Sequence, residues 1–480
     1  MQPEQASKQP VITAARGGIR MRFYDLVVIG TGPAGWSAAL QGAKLGMAVA
    51  VIEKGLMLGG ACVRTGTLPS KALRHRVLEL LNSRKNVSHG IHTTELAPLT
   101  MQDLRGPRDE VISHHQQTIR AFFERNKVVV LAGSASFVGP GRIRVSNRQG
   151  EDIIEAKKVL IATGSRPRRP DSIPIDDHII VDSDSLLDLD IIPRSLSVIG
   201  SGVIGCEYAT IFATLGSKVT IIDRREKLLR FLDSDILDTL CHSMRSKGIR
   251  VMQEEQVRDV RIEDKKNFRE GVVCLESGRT VRSERVLVAA GRVSNVESLN
   301  LERIGLTTDE TGLIKVDENY RTDIENVYAA GDVIGFPALA STSMHQGRLA
   351  VLHAAGKERP ATSVLPMAIF TIPEISAVGL TEEQCREQGI PYEVGTARSG
   401  ETPRGQIAGD DGLVKLIFKR DTKEILGVHM IGASASELIH VGMILLHMGG
   451  TLDDILSAVF NYPTMSEVYR IAALDGMNRL

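Results

Sequence analysis

"YDLVVIGTGPAGWSAALQGAKLGMAVAVIEK", residues 24–54, switches its hydrophobic period twice. Leu26–Ile29 is a short apolar run that predicts a strand, the residues after Gly35 carry a helical pattern, and a second apolar run closes on Glu53. Between strand and helix stand Gly30, Gly32 and Gly35 in G-x-G-x-x-G spacing, with Pro33 and Ala34 opening the helix. Such glycines serve a tight turn, the close approach of a pyrophosphate to backbone N–H groups, and helix–strand packing. Glu53, 23 residues beyond Gly30, stands where a carboxylate accepts hydrogen bonds from an adenosine ribose, and Lys54 follows it. Strand, turn, helix and acid together predict a dinucleotide-binding βαβ unit.

The pattern returns at residues 195–230, "SLSVIGSGVIGCEYATIFATLGSKVTIIDRREKLLR". Gly200, Gly202 and Gly205 follow the strand Leu196–Ile199, Val203 and Ile204 open the helix, and the strand Val219–Ile222 ends at Asp223. Two such units in one chain imply two dinucleotides, which points to a flavin and a nicotinamide cofactor.

The bulk numbers bound the rest. A chain of 480 residues suggests roughly three domains of about 100–200 residues each. Its 58 basic and 58 acidic residues cancel, which removes the electrostatic argument for nucleic acid or an acidic membrane as partner. No apolar run approaches the ~20 residues that span a bilayer. Five scattered cysteines (62, 206, 241, 274 and 385) form neither a disulfide framework nor a paired metal pattern, and the histidines show no metal-ligand spacing, so no metal is expected. A reduced, cytoplasmic compartment is the expectation. Residues 1–20 lack a secretory h-region and are expected to be a disordered extension, with Met21 an alternative start. Trp36, directly after the third glycine, is expected to pack the helix.

A third stretch, "GGACVRTGTLPSK" at residues 59–71, resembles the redox loop of the class I pyridine nucleotide-disulfide oxidoreductases. In that family the positions of Cys62 and Thr67 are both cysteine and form a catalytic disulfide. The resemblance extends through "VLIATGSRP" (159–167), "VLVAAGRVSN" (286–295), "NVYAAGD" (326–332) and "NYPTMSE" (461–467), and so covers nearly the whole chain. It implies an α/β fold: two Rossmann-like dinucleotide-binding domains, for FAD and NAD(P), plus a C-terminal α+β dimerisation domain. The implied bounds are 21–170 and 290–360 for the FAD domain, 171–289 for the NAD(P) domain, and 361–480 for the interface of a homodimer or higher homo-oligomer.

The resemblance also assigns roles. Gly59, Gly60, Ala61, Cys62, Thr67, Thr163, Gly164, Gly331, Asp332 and Ala340 are expected around FAD, with Asp332 on the ribityl chain. Gly291, Arg292 and Tyr462 are expected beside the cofactors, and Lys71 and Glu207 are expected to pair beside the flavin N5 as the catalytic residues. Thr67 replaces the thiol nearer the flavin, and Tyr462 replaces the family's proton-exchanging histidine, so thiol–disulfide exchange lacks both its nucleophile and its base. Hydride transfer needs neither. The Cys-to-Thr loop and the "FNYPTM" ending (460–465) are similar to the soluble (Si-specific) pyridine nucleotide transhydrogenases, which implies hydride transfer between NADPH and NAD⁺ through FAD. An NAD(P)H:quinone or dye oxidoreductase is the enzymatic alternative, and a non-catalytic NAD(P)H-binding flavoprotein the alternative from another class. Asp223 suits the ribose 2′-hydroxyl of NAD(H), whereas Arg224 and Arg230 suit the 2′-phosphate of NADP(H). The mixed set predicts use of both.

Overall fold

The computed structural model describes residues 11–14, 20–55, 57–88, 100–266, 268–357 and 364–480. The chain falls into two compact units, Met1–Arg76 with Met101–Arg168 and Gly291–Ala361, and Val77–Thr100 with Arg169–Ala290 and Thr362–Leu480. The segments expected as separate domains, 171–289 and 361–480, therefore share the second unit, where each builds its own sheet.

The first unit is built on an eight-stranded sheet. Its spine runs Val129–Ala132, Val49–Glu53, Arg20–Ile29, Gly150–Ile161, Arg142–Asn147, Ser134–Gly139. The strand Val327–Ala329 adds parallel to Gly150–Ile161. Around the glycine turn the strands are parallel, as a βαβ crossover requires. Successive residues of the first strand enter different cores: Leu26 and Val28 pack under the helix Pro33–Lys44, while Val27 and Ile29 join the opposite face with Phe137 and Ile143. That two-sided burial is why Leu26–Ile29 reads as an unbroken apolar run. The helix buries Ala34, Ala38, Ala39 and Ala43, small residues that let it lie close to the sheet, and Trp36 packs at its margin.

The first strand starts at Arg20, six residues before the expected Leu26. Residues Val11–Ala14, inside the stretch expected to lack structure, form a strand pairing antiparallel with Arg20–Phe23. The β-branched "VIT" and the unpaired edge of that long strand account for the difference. Residues 1–10 and 15–19 lie outside the described residues.

In the second unit a five-stranded parallel sheet runs Arg250–Met252, Lys218–Ile222, Ser195–Ile199, Arg285–Val288, Ile180–Asp182. A three-stranded antiparallel sheet, Val257–Asp264, Arg269–Leu275 and Thr280–Ser283, shares its core. The C-terminal segment is a five-stranded antiparallel sheet, Met367–Ile369, Glu374–Gly379, Ile425–Gly432, Leu413–Lys419, Tyr392–Arg398, packed with the helices Ala435–Met448 and Glu467–Met477. Each glycine turn lies at the carboxyl end of a parallel strand, where open α/β sheets place their ligands. Among the described residues no helix is long and apolar enough to cross a membrane.

Candidate active site

The two glycine turns are built alike. Gly30 and Gly200 have φ of 102° and 105°, and a Cβ on either would strike a carbonyl oxygen, that of Ala162 at 2.4 Å or of Ala289 at 2.3 Å. A Cβ on Gly35 or Gly205 would meet the first glycine's carbonyl at 2.0 Å. The middle glycines, Gly32 and Gly202, face open space, with no atom within 4 Å of a Cβ position. Each caps a twelve-residue helix, Pro33–Lys44 or Val203–Thr214, with no side-chain cap and no acid in the first turn. Bare helix N–H groups facing an empty, side-chain-free space form an anion cradle, and this fits the pyrophosphate of FAD in one unit and of a nicotinamide dinucleotide in the other.

The strand-end acids also match. Glu53 Oε2 accepts from the N–H of Thr31 at 3.2 Å and from its hydroxyl, while Oε1 accepts from the Gly55 N–H at 3.0 Å. Asp223 Oδ2 accepts from the N–H of Ser201 at 2.6 Å and its hydroxyl at 2.7 Å. Thr31 and Ser201, which the sequence reading passed over, thus tie each acid to its glycine turn. Their signal was present, since each turn carries a hydroxyl residue between its first two glycines, G-T-G and G-S-G.

In the first unit Gly60 closes on the cradle, where a Cβ would lie 2.9 Å from the Cα of Gly32, and the Gly59 N–H donates to the Thr31 hydroxyl at 3.1 Å. Ala61 and Cys62 follow in the short helix Gly60–Arg64, and the Ala61 carbonyl accepts from the N–H groups of Thr65 and Gly66 at 3.0 and 2.7 Å. Thr67 opens the helix Thr67–Ser88, and Lys71 on its first turn donates to the Ser70 hydroxyl at 3.3 Å. Cys62 is a free, half-buried thiol. Burial pushes its pKa above the ordinary value. The Thr67 hydroxyl, hydrogen-bonded to it, and the Lys71 charge pull the other way, while the Asp332 charge adds to the rise.

Asp332, at the turn after the strand Val327–Ala329, accepts from the Ser165 hydroxyl at 2.6 Å. Arg292 donates in turn to that hydroxyl at 2.7 Å and to the Ser165 carbonyl at 2.9 Å, its Nε lying 3.9 Å from Asp332. Ser165, missed by the sequence reading, thus orients Asp332. Asn295 pins the crossing strand by donating to the carbonyls of Thr163 and Gly164, each at 3.0 Å. Among the described residues the buried Thr163 hydroxyl has no partner, an orphan polar atom of the kind a bound cofactor satisfies. Gly331 donates its N–H to Gln346 at 2.9 Å, Ala340 opens the helix Ala340–Ala354, and the Gly291 carbonyl accepts from the Arg168 N–H at 3.0 Å.

In the second unit Glu207 is buried on the helix Val203–Thr214 and accepts from the Phe370 N–H at 2.8 Å. Lys71 belongs to the first unit and Glu207 to the second. Arg224 and Arg230 are exposed, whereas Arg225, also missed, turns back and binds Asp223. The loop that carries them is fixed at its far end too, where Asp233 caps the helix Ser234–Ser246 and receives Lys415 at 2.9 Å. Its leucines 228, 229 and 232 are buried. Tyr462 is 73% exposed, as are Val459 and Met448 at 98% and 78%, so this segment presents apolar surface.

Residues 24–347 match the model of the pyridine nucleotide-disulphide oxidoreductases, and residues 365–473 the dimerisation domain of the same family. A soluble pyridine nucleotide transhydrogenase of Mycobacterium bovis is 42% identical over 96% of this chain and 98% of its own. One from Photobacterium profundum is 41% identical over 95% and 98%. Among solved structures, LpdA from Mycobacterium tuberculosis superposes with a TM-score of 0.86 at 28% identity, over 94% of this chain and 99% of that one. The HOCl-induced flavoprotein disulfide reductase RclA from Escherichia coli gives 0.83 at 28% identity, with the same coverage.

Proposed function

The chain belongs to the pyridine nucleotide-disulphide oxidoreductase family, and within it we propose that it moves hydride between NADPH and NAD⁺ by a ping-pong mechanism that uses no redox disulfide. It is an FAD- and NAD(P)-dependent oxidoreductase. The observation that carries the finer reading is the loop of Cys62 and Thr67: a hydroxyl stands where the partner thiol would be, and the remaining thiol is held protonated by its burial. The names of the 41–42% identical relatives support the same reaction.

FAD, when bound, supplies the two-electron centre through which hydride leaves one nicotinamide and reaches the next. The rest of the work is binding and positioning. The cradle of Gly30, Gly32 and Gly35 takes the FAD pyrophosphate, Glu53 faces the adenosine ribose, and Asp332, aimed by Ser165 and Arg292, takes the ribityl chain. The cradle of Gly200, Gly202 and Gly205 takes each nicotinamide dinucleotide in turn, because one site serves both. Lys71, on the helix that follows the Cys62 loop, supplies fixed charge for the flavin ring. Residues 171–289 form the nicotinamide domain, and 361–480 pair with a second copy, which the exposed Met448, Val459 and Tyr462 favour. Five free cysteines suit a reduced cytoplasm.

Initial rates with NADPH and thio-NAD⁺ test the proposal. Parallel double-reciprocal lines are expected, with no turnover of lipoamide or glutathione disulfide. Intersecting lines, or a quinone turned over far faster than thio-NAD⁺, would reject it.

A further inference from the structure

The carboxylate of Asp223 is saturated. Oδ2 receives both Ser201 donors and Arg225 Nη2, the last at 2.7 Å. Oδ1 receives the Arg225 N–H at 2.8 Å and its Nε at 3.0 Å. A carboxylate offers about four lone-pair positions, so no capacity remains for a ribose hydroxyl. The guanidinium faces the acid edge-on through two donors, which neutralises its charge as well as filling its lone pairs. The Asp223 side chain is 4% exposed and that of Arg225 38%, so the arginine covers the acid on the solvent side. The first unit lacks this step in the same design, for there the second oxygen of Glu53 takes the Gly55 N–H. Burial alone would raise the Asp223 pKa, but the hydrogen bonds from Arg225 and Ser201 hold it well below the ordinary range, so it stays ionised and paired.

An open carboxylate at this strand end would receive a 2′-hydroxyl and repel a 2′-phosphate. We infer that Arg225 masks Asp223, and that this masking lets one nucleotide site accept the 2′-hydroxyl and the 2′-phosphate alike. Arg225 is then a positioning residue for cofactor choice: it acts through the acid, while the exposed Arg224 and Arg230 are left to meet the phosphate. The inference rests on the transhydrogenase reading, which requires both nucleotides to bind.

The test is calorimetric titration of the FAD-loaded protein with 2′,5′-ADP and with 5′-AMP, probes that carry no nicotinamide and cannot turn over. Arg225→Met is expected to weaken 2′,5′-ADP by about tenfold or more through like-charge repulsion, with 5′-AMP unchanged or tighter. Arg225→Lys should stay near the parent. Adding Asp223→Asn to Arg225→Met should restore most of the 2′,5′-ADP affinity, since no bare acid is left to repel it. A double variant as weak as the single one would show that Arg225 holds the phosphate directly, and equal losses for both probes would show a merely structural role; either overturns the inference. A parent protein that already refuses one probe overturns the transhydrogenase reading instead, and needs no variant to reveal it.

Discussion

Lys415 Nζ donates to Asp233 at 2.9 Å in a site where the lysine side chain is 1% exposed and the aspartate 0%. The same ammonium reaches Asp235 at 2.6 Å and also Glu382. Removing the cation leaves the fully buried Asp233 carboxylate uncompensated, with the part-buried Glu382 and the half-exposed Asp235 beside it. Lys415→Met should therefore cost about 3–5 kcal/mol, read by denaturant or thermal unfolding of the holoenzyme.

The same cluster sets a pH dependence. Burial by itself raises the Glu382 pKa, but hydrogen bonds from Lys415 and Tyr392 outweigh it and hold the carboxyl below its usual range. A lowered folded pKa contributes stability above the unfolded value of about 4.3, and that contribution is lost as pH falls through the folded value. Melting temperature should be flat near neutrality and decline below about pH 4. In Lys415→Met the decline should be shallower, because protonation then relieves repulsion. Parallel curves for parent and variant would clear this cluster of the effect.

The proposed mechanism uses no thiol, so Cys62→Ser should keep most of the transhydrogenase activity. The raised pKa of the parent thiol also predicts slow alkylation at neutral pH, quickening only at pH above the ordinary thiol range. Rapid labelling at pH 7 would contradict a protonated thiol.

Asp332→Ala should weaken flavin retention by roughly 1.5–3 kcal/mol for each charged hydrogen bond lost, measured as FAD released on dialysis. Ser165→Ala should give a smaller loss, because it frees Asp332 to rotate without removing it. Equal losses would show that Asp332 contributes only while Ser165 holds it in place.

Removing Arg224 and Arg230 together should weaken NADP(H) by roughly 1.5–3 kcal/mol per charged hydrogen bond lost, with NAD(H) nearly unchanged in the same binding assay. Equal losses for both nucleotides would assign these arginines to fold or pyrophosphate.

The glycine turns could be read from sequence because their physics is local. Gly30, Gly35, Gly200 and Gly205 each answer to a carbonyl brought close by a strand and helix that the period already reveals. Arg225 could not be singled out among three arginines, because which one folds back depends on the path the chain takes after Asp223. Lys415 lies 182 residues from Asp233, and the Phe370 N–H that meets Glu207 is 163 residues away. No pattern within one segment carries such pairings. The strand Val11–Ala14 was missed for the opposite reason: four residues are too few for periodicity to speak.

The segment between Asp223 and Asp233 is moored at both ends, by Ser201 and Arg225 at one and by Lys415 at the other, with leucines as ballast between. The side chains at 224, 226, 227 and 230 are exposed and take no part in that mooring, although the Glu226 carbonyl accepts from Gln253. Substitution at these four sites should leave the scaffold intact, which makes them the positions at which to seek an altered nucleotide preference. The fold thereby separates a pinned frame from a rim of exposed side chains that a protein engineer can alter one charge at a time.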